Sequence, residues 1–276
     1  MSSFDVLTLW NSHQQKKRAE EGPKPTATGT RFRCSDAGSC LRKRGMSAIG
    51  AAESNAIAAQ SLLAFEIGNS IHETLQEAFA AAEGFEFEAE VPIDLSAFGP
   101  SLSGHCDGII TGPDGSKTIL EIKTMAGFGF KLAKSGGPKR EHVAQAGMYA
   151  LGVEADRILL VYVAKEGDFR AGFKPGAVLE FEYLMTDEVF SDESVYDVAM
   201  QEIDRFKMAD DMLEQGIITS RLVPDDSGDL QEVERVPGYM EKGGKPWQCA
   251  YCTFNDACAL LPAGPVGVDM IGRISE

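Results

Sequence analysis

The sequence predicts an α/β fold whose core runs in the order helix, three strands, helix, strand. Three stretches support this order. Residues 54–82 repeat apolar side chains about every fourth position, as an amphipathic helix does. Residues 103–123 hold two β-rich runs around a Gly, Pro and Asp cluster, which is the pattern of a hairpin. Residues 157–164 form a continuous apolar run, which is typical of a strand buried on both faces.

The chain of 276 residues is long enough to bury a substantial core. We expect a polar segment at residues 1–30, with a short helix near Phe4 to Trp10, followed by a single domain over residues 31–276. Within that domain the core is expected at about 54–165 and an acidic helical region at about 185–235.

The long helix is expected to begin with Ser54 as its N-cap and to stop near Gly84. Its apolar stripe consists of Leu63, Ile67, Ile71, Leu75 and Phe79. Alternation from Phe85 to Ile93 then predicts a strand with one wet face.

The predicted hairpin carries the most chemistry. If its turn is centred near Asp114, Asp107 and Glu121 lie opposite each other, and Glu121 and Lys123 share one face. Because opposed like charges destabilise a sheet, this arrangement indicates a bound cation, and carboxylates suit Mg²⁺ or Mn²⁺. The simpler alternative is a solvated acidic face on which Lys123 is a surface partner.

His72 lies at the margin of the apolar stripe of the long helix. A lone histidine in that position is usually a satisfied core residue. Beside two carboxylates that need a cation, a neutral imidazole becomes a suitable third ligand.

The elements after the hairpin follow from composition and periodicity. Residues 124–138 are Gly-rich and are expected to form a substrate-facing loop. A helix over about 139–151 places His142, Gln145 and Tyr149 on one face, which could equally be the polar face of an ordinary surface helix. Residues 178–184 predict a further strand and residues 191–215 an acidic helix.

The net charge of −16 opposes nucleic-acid binding only if the charge is uniform. Between Glu180 and Glu234 there are 17 acidic and three basic residues, a net charge of −14, which leaves −2 for the rest of the chain. Two basic clusters are candidates for contact with phosphates, and scattered solubilising charge is the alternative interpretation of each. They are Arg31, Arg33, Arg42, Lys43 and Arg44 in the first, and Lys131, Lys134, Lys139 and Arg140 in the second.

Six cysteines are present, and the beginning of the chain lacks a signal-peptide core, so metal binding is favoured over disulfides. Cys249, Cys252 and Cys258 form one tight group that leaves a fourth ligand to come from elsewhere. Four thiolates fit either structural zinc or an iron–sulfur cluster. Cys106 alternates with Asp107 and is expected to be a buried small apolar residue.

These motifs resemble the PD-(D/E)XK nucleases, and more narrowly their RecB-like branch. The resemblance rests on Asp107 and the Glu121-Ile122-Lys123 tripeptide on consecutive strands, on Gly68 to His72 upstream and on Gln145 and Tyr149 downstream. It implies a restriction-endonuclease-like αβββαβ core with a mixed sheet and extra helices. It also implies catalysis by Asp107, Glu121 and Lys123, and DNA contacts by Gln145 and Tyr149. The implied ligands of Mg²⁺ or Mn²⁺ are His72, Asp107, Glu121 and the backbone carbonyl of Ile122.

The cysteines extend this resemblance. RecB-like nucleases of the AddB and CRISPR-associated types carry one cysteine before the first core helix and three after the core, which hold a [4Fe–4S] cluster. The Cys40-Leu41-Arg42-Lys43 segment is similar to their Cys-Pro-Arg-Lys signature, with Leu41 in place of proline. The implied ligands are therefore Cys40, Cys249, Cys252 and Cys258, with Cys34 as a rival to Cys40 and zinc as the alternative metal. Such a cluster would join the N- and C-terminal segments.

The resemblance implies a Mg²⁺- or Mn²⁺-dependent deoxyribonuclease. The expected activity is that of an exonuclease that processes DNA ends or single strands in recombination, repair or phage DNA metabolism, with a recombination protein as a further partner. The alternatives are a CRISPR-adaptation nuclease, a catalytically inactive metal-cluster module that binds DNA or assembles with other proteins, and a zinc protein unrelated to nucleic acid. No apolar run is long enough for a bilayer, and we expect a cytoplasmic protein.

Overall fold

A computed structural model describes residues 6–21, 30–55, 57–225, 227–233 and 247–274. The helices are α1 (Val6–Glu21), α2 (Leu41–Ala48), α3 (Ala59–Ala81), α4 (Gly127–Gly136), α5 (Arg140–Val153), α6 (Val195–Glu214), α7 (Trp247–Ala250), α8 (Asn255–Ala259) and α9 (Val268–Ile274). The strands are β1 (Phe32–Arg33), β2 (Glu86–Asp94), β3 (Leu102–Thr111), β4 (Lys117–Met125), β5 (Arg157–Ala164), β6 (Val178–Leu184), β7 (Glu188–Phe190), β8 (Glu193–Ser194), β9 (Ile217–Ile218), β10 (Leu222–Pro224), β11 (Leu230–Glu232) and β12 (Val266–Gly267).

Six strands form one mixed sheet in the order β1-β3-β4-β5-β6, with β2 also paired to β3. The β2–β3, β3–β4 and β5–β6 pairs are antiparallel, whereas β1–β3 and β4–β5 are parallel. The predicted order of helix, three strands, helix and strand is present as α3, β2, β3, β4, α5 and β5, with α4 added between β4 and α5. The α/β prediction and its mixed sheet are therefore confirmed.

Both faces of the central strands are covered. Leu160 and Tyr162 of β5 belong to the main core, which α5 and α6 cover, while Val161 and Val163 belong to a second cluster that packs against Ile71 and other residues of α3. Because alternate side chains enter different cores, β5 has no solvated face, which explains its continuous apolar sequence.

The structure corrects the prediction that residues 124–138 form a loop. This segment contains helix α4, which packs Phe130 against Phe173 at 4.7 Å between ring centroids and also buries Ala133. The glycines lower the helix propensity of this segment, but burial of its apolar side chains compensates.

The beginning of the long helix also differs from the prediction. Helix α3 starts at Ala59, after Ala58 as N-cap, whereas Ser54 lies outside it. The hydroxyl of Ser54 accepts a hydrogen bond from the backbone N–H of Ala257 at 3.0 Å, within helix α8. The Ser54 hydroxyl therefore accepts a backbone N–H of α8 instead of capping α3.

Parts of the predicted N-terminal segment and of the predicted acidic region lie outside the described residues. Helix α1 extends to Glu21, well beyond the predicted Trp10, and contacts α3, while Phe4 and residues 22–29 lie outside the described residues. In the acidic region, α6 begins with a capping box between Ser194 and Asp197, and residues 226 and 234–235 lie outside the described part.

None of the helices that the structure describes combines the length and apolarity needed to cross a membrane.

A buried ionic triad joins α2 to α6. Glu202 pairs with Arg44 and, at 2.6 Å, with Arg205, while the guanidinium of Arg44 lies 4.1 Å from the ring centroid of Phe206. Burial raises the pKa of Glu202, but the charges of the two arginines outweigh it and hold the pKa below its usual value. Arg42 and Arg44 are both buried, so the first basic cluster does not form the continuous phosphate-binding surface that the sequence suggested.

Candidate active site and cysteine site

Strands β3 and β4 stop pairing at the residues that the sequence singled out. The last ladder pair toward the site is Gly108 opposite Leu120, so the next positions along the two strands are Asp107 and Glu121. The predicted register is correct, and the two acids lie where the strands part.

The Asp107 side chain bridges several elements. Its Oδ2 accepts a hydrogen bond from the backbone N–H of Ile122 at 2.6 Å, and its Oδ1 lies 3.1 Å from Nδ1 of His72 on α3. Burial lowers the pKa of His72, but the hydrogen bond and the charge of Asp107 outweigh it and raise that pKa above its ordinary value. The carboxylate therefore joins helix α3 to strand β4.

Glu121 is 3% exposed, and its two oxygens have different surroundings. Oε1 pairs with Nζ of Lys123 at 2.6 Å, whereas the buried Oε2 has no hydrogen-bond partner among the residues that the structure describes. Burial raises the pKa of Glu121 to about 7; the charge of Asp107 adds to this rise and Lys123 opposes it. A carboxylate oxygen that is buried and unpartnered is costly, and a cation would relieve that cost.

Lys123 begins a chain of polar contacts that leads into α5. Its Nζ donates to Oε1 of Gln145 at 2.9 Å, and Nε2 of Gln145 donates to the hydroxyl of Tyr149 at 3.0 Å. Tyr149 is 1% exposed, and its ring packs so closely on Gly104 that a Cβ there would lie 2.7 Å from it. Gln145 and Tyr149 thus support Lys123 from within the core, and direct contact of either with DNA stays a prediction.

Sequence analysis missed Gln76, which lies one helical turn after His72 on α3. Nε2 of Gln76 donates to the backbone carbonyl of Asp107 at 2.7 Å and to Oε1 of Glu90 at 2.8 Å. Glu90 has a φ of 52°, in the left-handed region, directly beside this contact in β2. The four-residue spacing from His72 was the available signal, since i and i+4 share a helix face.

His142, which the sequence placed on the same helix face as Gln145 and Tyr149, contacts Tyr162 of β5. Its Nδ1 is 2.7 Å from the hydroxyl of Tyr162, which also accepts the backbone N–H of Lys139 at 3.0 Å. Burial and the charges of Lys123 and Lys139 hold the pKa of His142 well below its usual value. The His142 imidazole is therefore a hydrogen-bond partner of Tyr162.

Helix α4 follows directly after β4 and presents an exposed surface. Phe128 is 74% exposed, and Lys131 and Lys134 of the same helix are also exposed, while Phe130 is buried in the core. An exposed aromatic ring beside cations has the composition of a surface that binds single-stranded nucleic acid. In the second basic cluster, Arg140 is instead paired with Glu193 at 2.5 Å.

Within the described residues, no three His, Cys, Asp or Glu side chains converge closely enough to hold a metal ion. At the acid pair the reason is visible, since Glu121 turns one oxygen to Lys123 and Asp107 turns its oxygens to His72 and Ile122. Ile122 contributes its N–H to this arrangement, and the ligand role of its carbonyl stays a prediction.

The four cysteines Cys40, Cys249, Cys252 and Cys258 line one cavity of about 870 Å³, although, within the described residues, no three of these thiols lie close enough together to hold a metal ion as they stand. None of the six cysteines, all within the described residues, forms a disulfide. Cys34 lies apart from the cavity, fully buried in the main core, where burial raises its pKa. Cys106 is also fully buried in that core, as predicted, and burial raises its pKa to about 12.

The sequence matches no protein-family model, and no curated protein matches it significantly. Solved structures similar to this chain include that of SSO0001, with 17% identity, a TM-score of 0.49, and coverage of 94% of this chain and 98% of that one. An alkaline exonuclease from Laribacter hongkongensis is 13% identical with a TM-score of 0.38, covering 66% of this chain and 92% of that one. A phage-related exonuclease from Haemophilus somnus 129PT is 13% identical with a TM-score of 0.34, covering 54% and 70%. These similarities are too low to assign a function, so the function proposed below is argued from the geometry of the site.

Proposed function

We propose that this protein is a divalent-metal-dependent deoxyribonuclease of the RecB-like type, with a restriction-endonuclease-like core. One observation carries the proposal: Asp107 and Glu121 lie next to each other where β3 and β4 part, and Lys123 pairs with Glu121. Two carboxylates and a lysine in this arrangement suit phosphodiester hydrolysis.

The residues fit Mg²⁺ or Mn²⁺ in a specific way. Mg²⁺ is usually held by one or two carboxylates together with water and substrate phosphates, so a preformed cage of three protein ligands is not required. The unpartnered Oε2 of Glu121 is a buried acceptor of the kind that such an ion takes. Asp107 and Glu121 would hold the ion, with His72 and the carbonyl of Ile122 as further ligands.

When bound, the ion would polarise the phosphate and lower the pKa of water. The ammonium group of Lys123 contacts Glu121 and Gln145, and in this proposal it would orient water and stabilise negative charge that develops on phosphate oxygens. His72 holds the Asp107 carboxylate in place. Exposed Phe128, Lys131 and Lys134 would contact the DNA strand, which favours single strands or ends as substrate.

We extend the proposal to the cysteine site. Cys40, Cys249, Cys252 and Cys258 would hold a structural [4Fe–4S] cluster or zinc, since these four thiols line one cavity while Cys34 lies in the core. The biological setting we propose is DNA end processing in recombination, repair or phage DNA metabolism, in the cytoplasm and together with a recombination protein.

The test is cleavage of end-labelled linear single- and double-stranded DNA with Mn²⁺, compared with circular single-stranded DNA. We expect the wild type to degrade linear DNA and to spare circles, and Asp107→Ala to show no activity. Glu88→Gln, which changes an exposed acid on β2, serves as control and should cleave normally. Wild-type protein that cleaves neither substrate, or Asp107→Ala that cleaves as well as wild type, would contradict the proposal.

A further inference from the structure

Two buried arginines point at the sulfur of Cys258. Arg221, 6% exposed, places its Nε 3.3 Å from Sγ of Cys258, and its Nη2 donates to the carbonyls of Cys258 and Leu261, each at 3.1 Å. The guanidinium of Arg221 therefore contacts Cys258 at both its side-chain sulfur and its backbone carbonyl.

Arg42, 1% exposed, approaches the same sulfur from helix α2 with its Nη1 at 3.9 Å. Its remaining hydrogen bonds go to backbone carbonyls. They are donated to Thr219 at 3.0 Å, Pro262 at 2.8 Å, Ala263 at 2.9 Å and, more closely, Gly264.

Neither guanidinium has a carboxylate partner among the residues that the structure describes. This contrasts with Arg44, two positions after Arg42, which is equally buried but pairs with Glu202. Carbonyl oxygens satisfy N–H groups yet bring no net charge, and a buried cation without a counter-ion is costly. The side-chain acceptor that both cations contact is the sulfur of Cys258. Carboxylates also line the cavity, but Glu202 among them is already paired with Arg44 and Arg205.

The charges match a metal centre held by four thiolates. Zn²⁺ with four thiolates has a net charge of about −2, and an oxidised [4Fe–4S] core with four thiolates has the same. Two guanidinium groups would neutralise either centre. Hydrogen bonds to cysteine sulfurs also tune the potential of an iron–sulfur cluster.

We propose that Arg42 and Arg221 are the counter-ions of the metal–thiolate centre and hold Cys258 as its ligand, an inference that rests on the proposed cofactor. They are positioning residues that act through Cys258. They also explain how the centre would join α2 to the C-terminal segment, since Arg42 bridges both.

The test begins with elemental analysis of anaerobically purified wild-type protein for iron and zinc, followed by metal release to a chelator. Arg221→Gln and Arg42→Gln should release the metal about 10- to 100-fold faster than wild type. Arg221→Lys keeps the positive charge but lacks the planar guanidinium. This variant should release the metal more slowly than Arg221→Gln. Where the metal is iron, loss of positive charge should shift the reduction potential to lower values.

Arg44→Gln is the matched control, because it removes a buried arginine whose partner is Glu202. Its folded fraction, isolated by size exclusion, should release metal at the wild-type rate. Release rates of Arg221→Gln and Arg42→Gln equal to wild type, or Arg221→Lys no slower than Arg221→Gln, would overturn the inference. Wild-type protein without metal would overturn the cofactor proposal and the inference together, whereas the DNA cleavage assay tests the acid site separately.

Discussion

The carboxylate of Asp107 accepts the backbone N–H of Ile122 at 2.6 Å, although the two residues are 15 positions apart on strands that no longer pair there. A side chain thus satisfies a strand N–H where the ladder ends. The other oxygen of the same carboxylate contacts His72 of α3. The orientation of the Asp107 side chain is therefore fixed by two contacts, one with α3 and one with β4.

Gln76→Leu tests whether this orientation matters for activity. The change leaves the carbonyl of Asp107 without its partner and frees Glu90, so we expect kcat for DNA cleavage to fall about 10- to 100-fold with little change in KM. Steady-state kinetics measure the effect. Gln60→Leu, an exposed change on the same helix, is the control, and equal kcat in both variants would contradict the positioning role of Gln76.

Glu121→Gln should change how stability depends on pH in the presence of a chelator. Burial raises the pKa of Glu121 from 4.5 to about 7, so the folded protein keeps a proton that the unfolded chain loses. The free energy of unfolding should therefore fall as pH rises through this window. Between pH 5 and pH 8 the wild type should lose roughly 1–3 kcal/mol relative to Glu121→Gln, as measured by urea denaturation. Parallel pH profiles would show that Glu121 is not perturbed.

The hairpin register could be predicted because side chains alternate strictly along strands, and a turn centred near Asp114 fixes which residues face each other. The ordering of α3, β2, β3, β4, α5 and β5 likewise followed from periodicity. Helix α4 could not be predicted, because its glycines conceal a helix that forms through tertiary burial of Phe130.

Only some of the side chains that meet at the candidate site could be named from the sequence. Charged residues in strands are conspicuous in a sequence, whereas Gln76 is an ordinary helix residue until the fold brings it to the Asp107 carbonyl. Ser54 illustrates the same limit, since its hydroxyl serves a helix about 200 residues later in the chain. Local patterns identify an acceptor but not its long-range partner.

Phe128→Ala tests the exposed surface of α4. Stacking of a base on an aromatic ring contributes about 1–3 kcal/mol, so the affinity for single-stranded DNA should fall accordingly while the fold is unchanged. Fluorescence anisotropy with labelled oligonucleotide in Ca²⁺ measures it. Tyr196→Ala removes an exposed ring on α6 and should bind like wild type; a Phe128→Ala variant with unchanged affinity would remove α4 from the DNA path.

Glu202→Gln should destabilise the fold. Removing this charge leaves Arg44 and Arg205 buried without their counter-ion, which costs about 3–5 kcal/mol. Urea denaturation at neutral pH measures the loss, with Asp204→Asn on the exposed side of the same helix as the control. A stability equal to that of the control variant would mean that the triad is not a counter-ion network.

Direct Mn²⁺ binding tests the acid pair most directly. Metal-free protein is titrated with Mn²⁺, and the paramagnetic resonance signal of the free ion gives the bound fraction. We predict that wild type binds Mn²⁺ and that the double variant with Asp107→Asn and Glu121→Gln binds at least about tenfold more weakly, because both hard oxygen ligands lose their charge. Equal binding by the two proteins would contradict the assignment of the metal to Asp107 and Glu121.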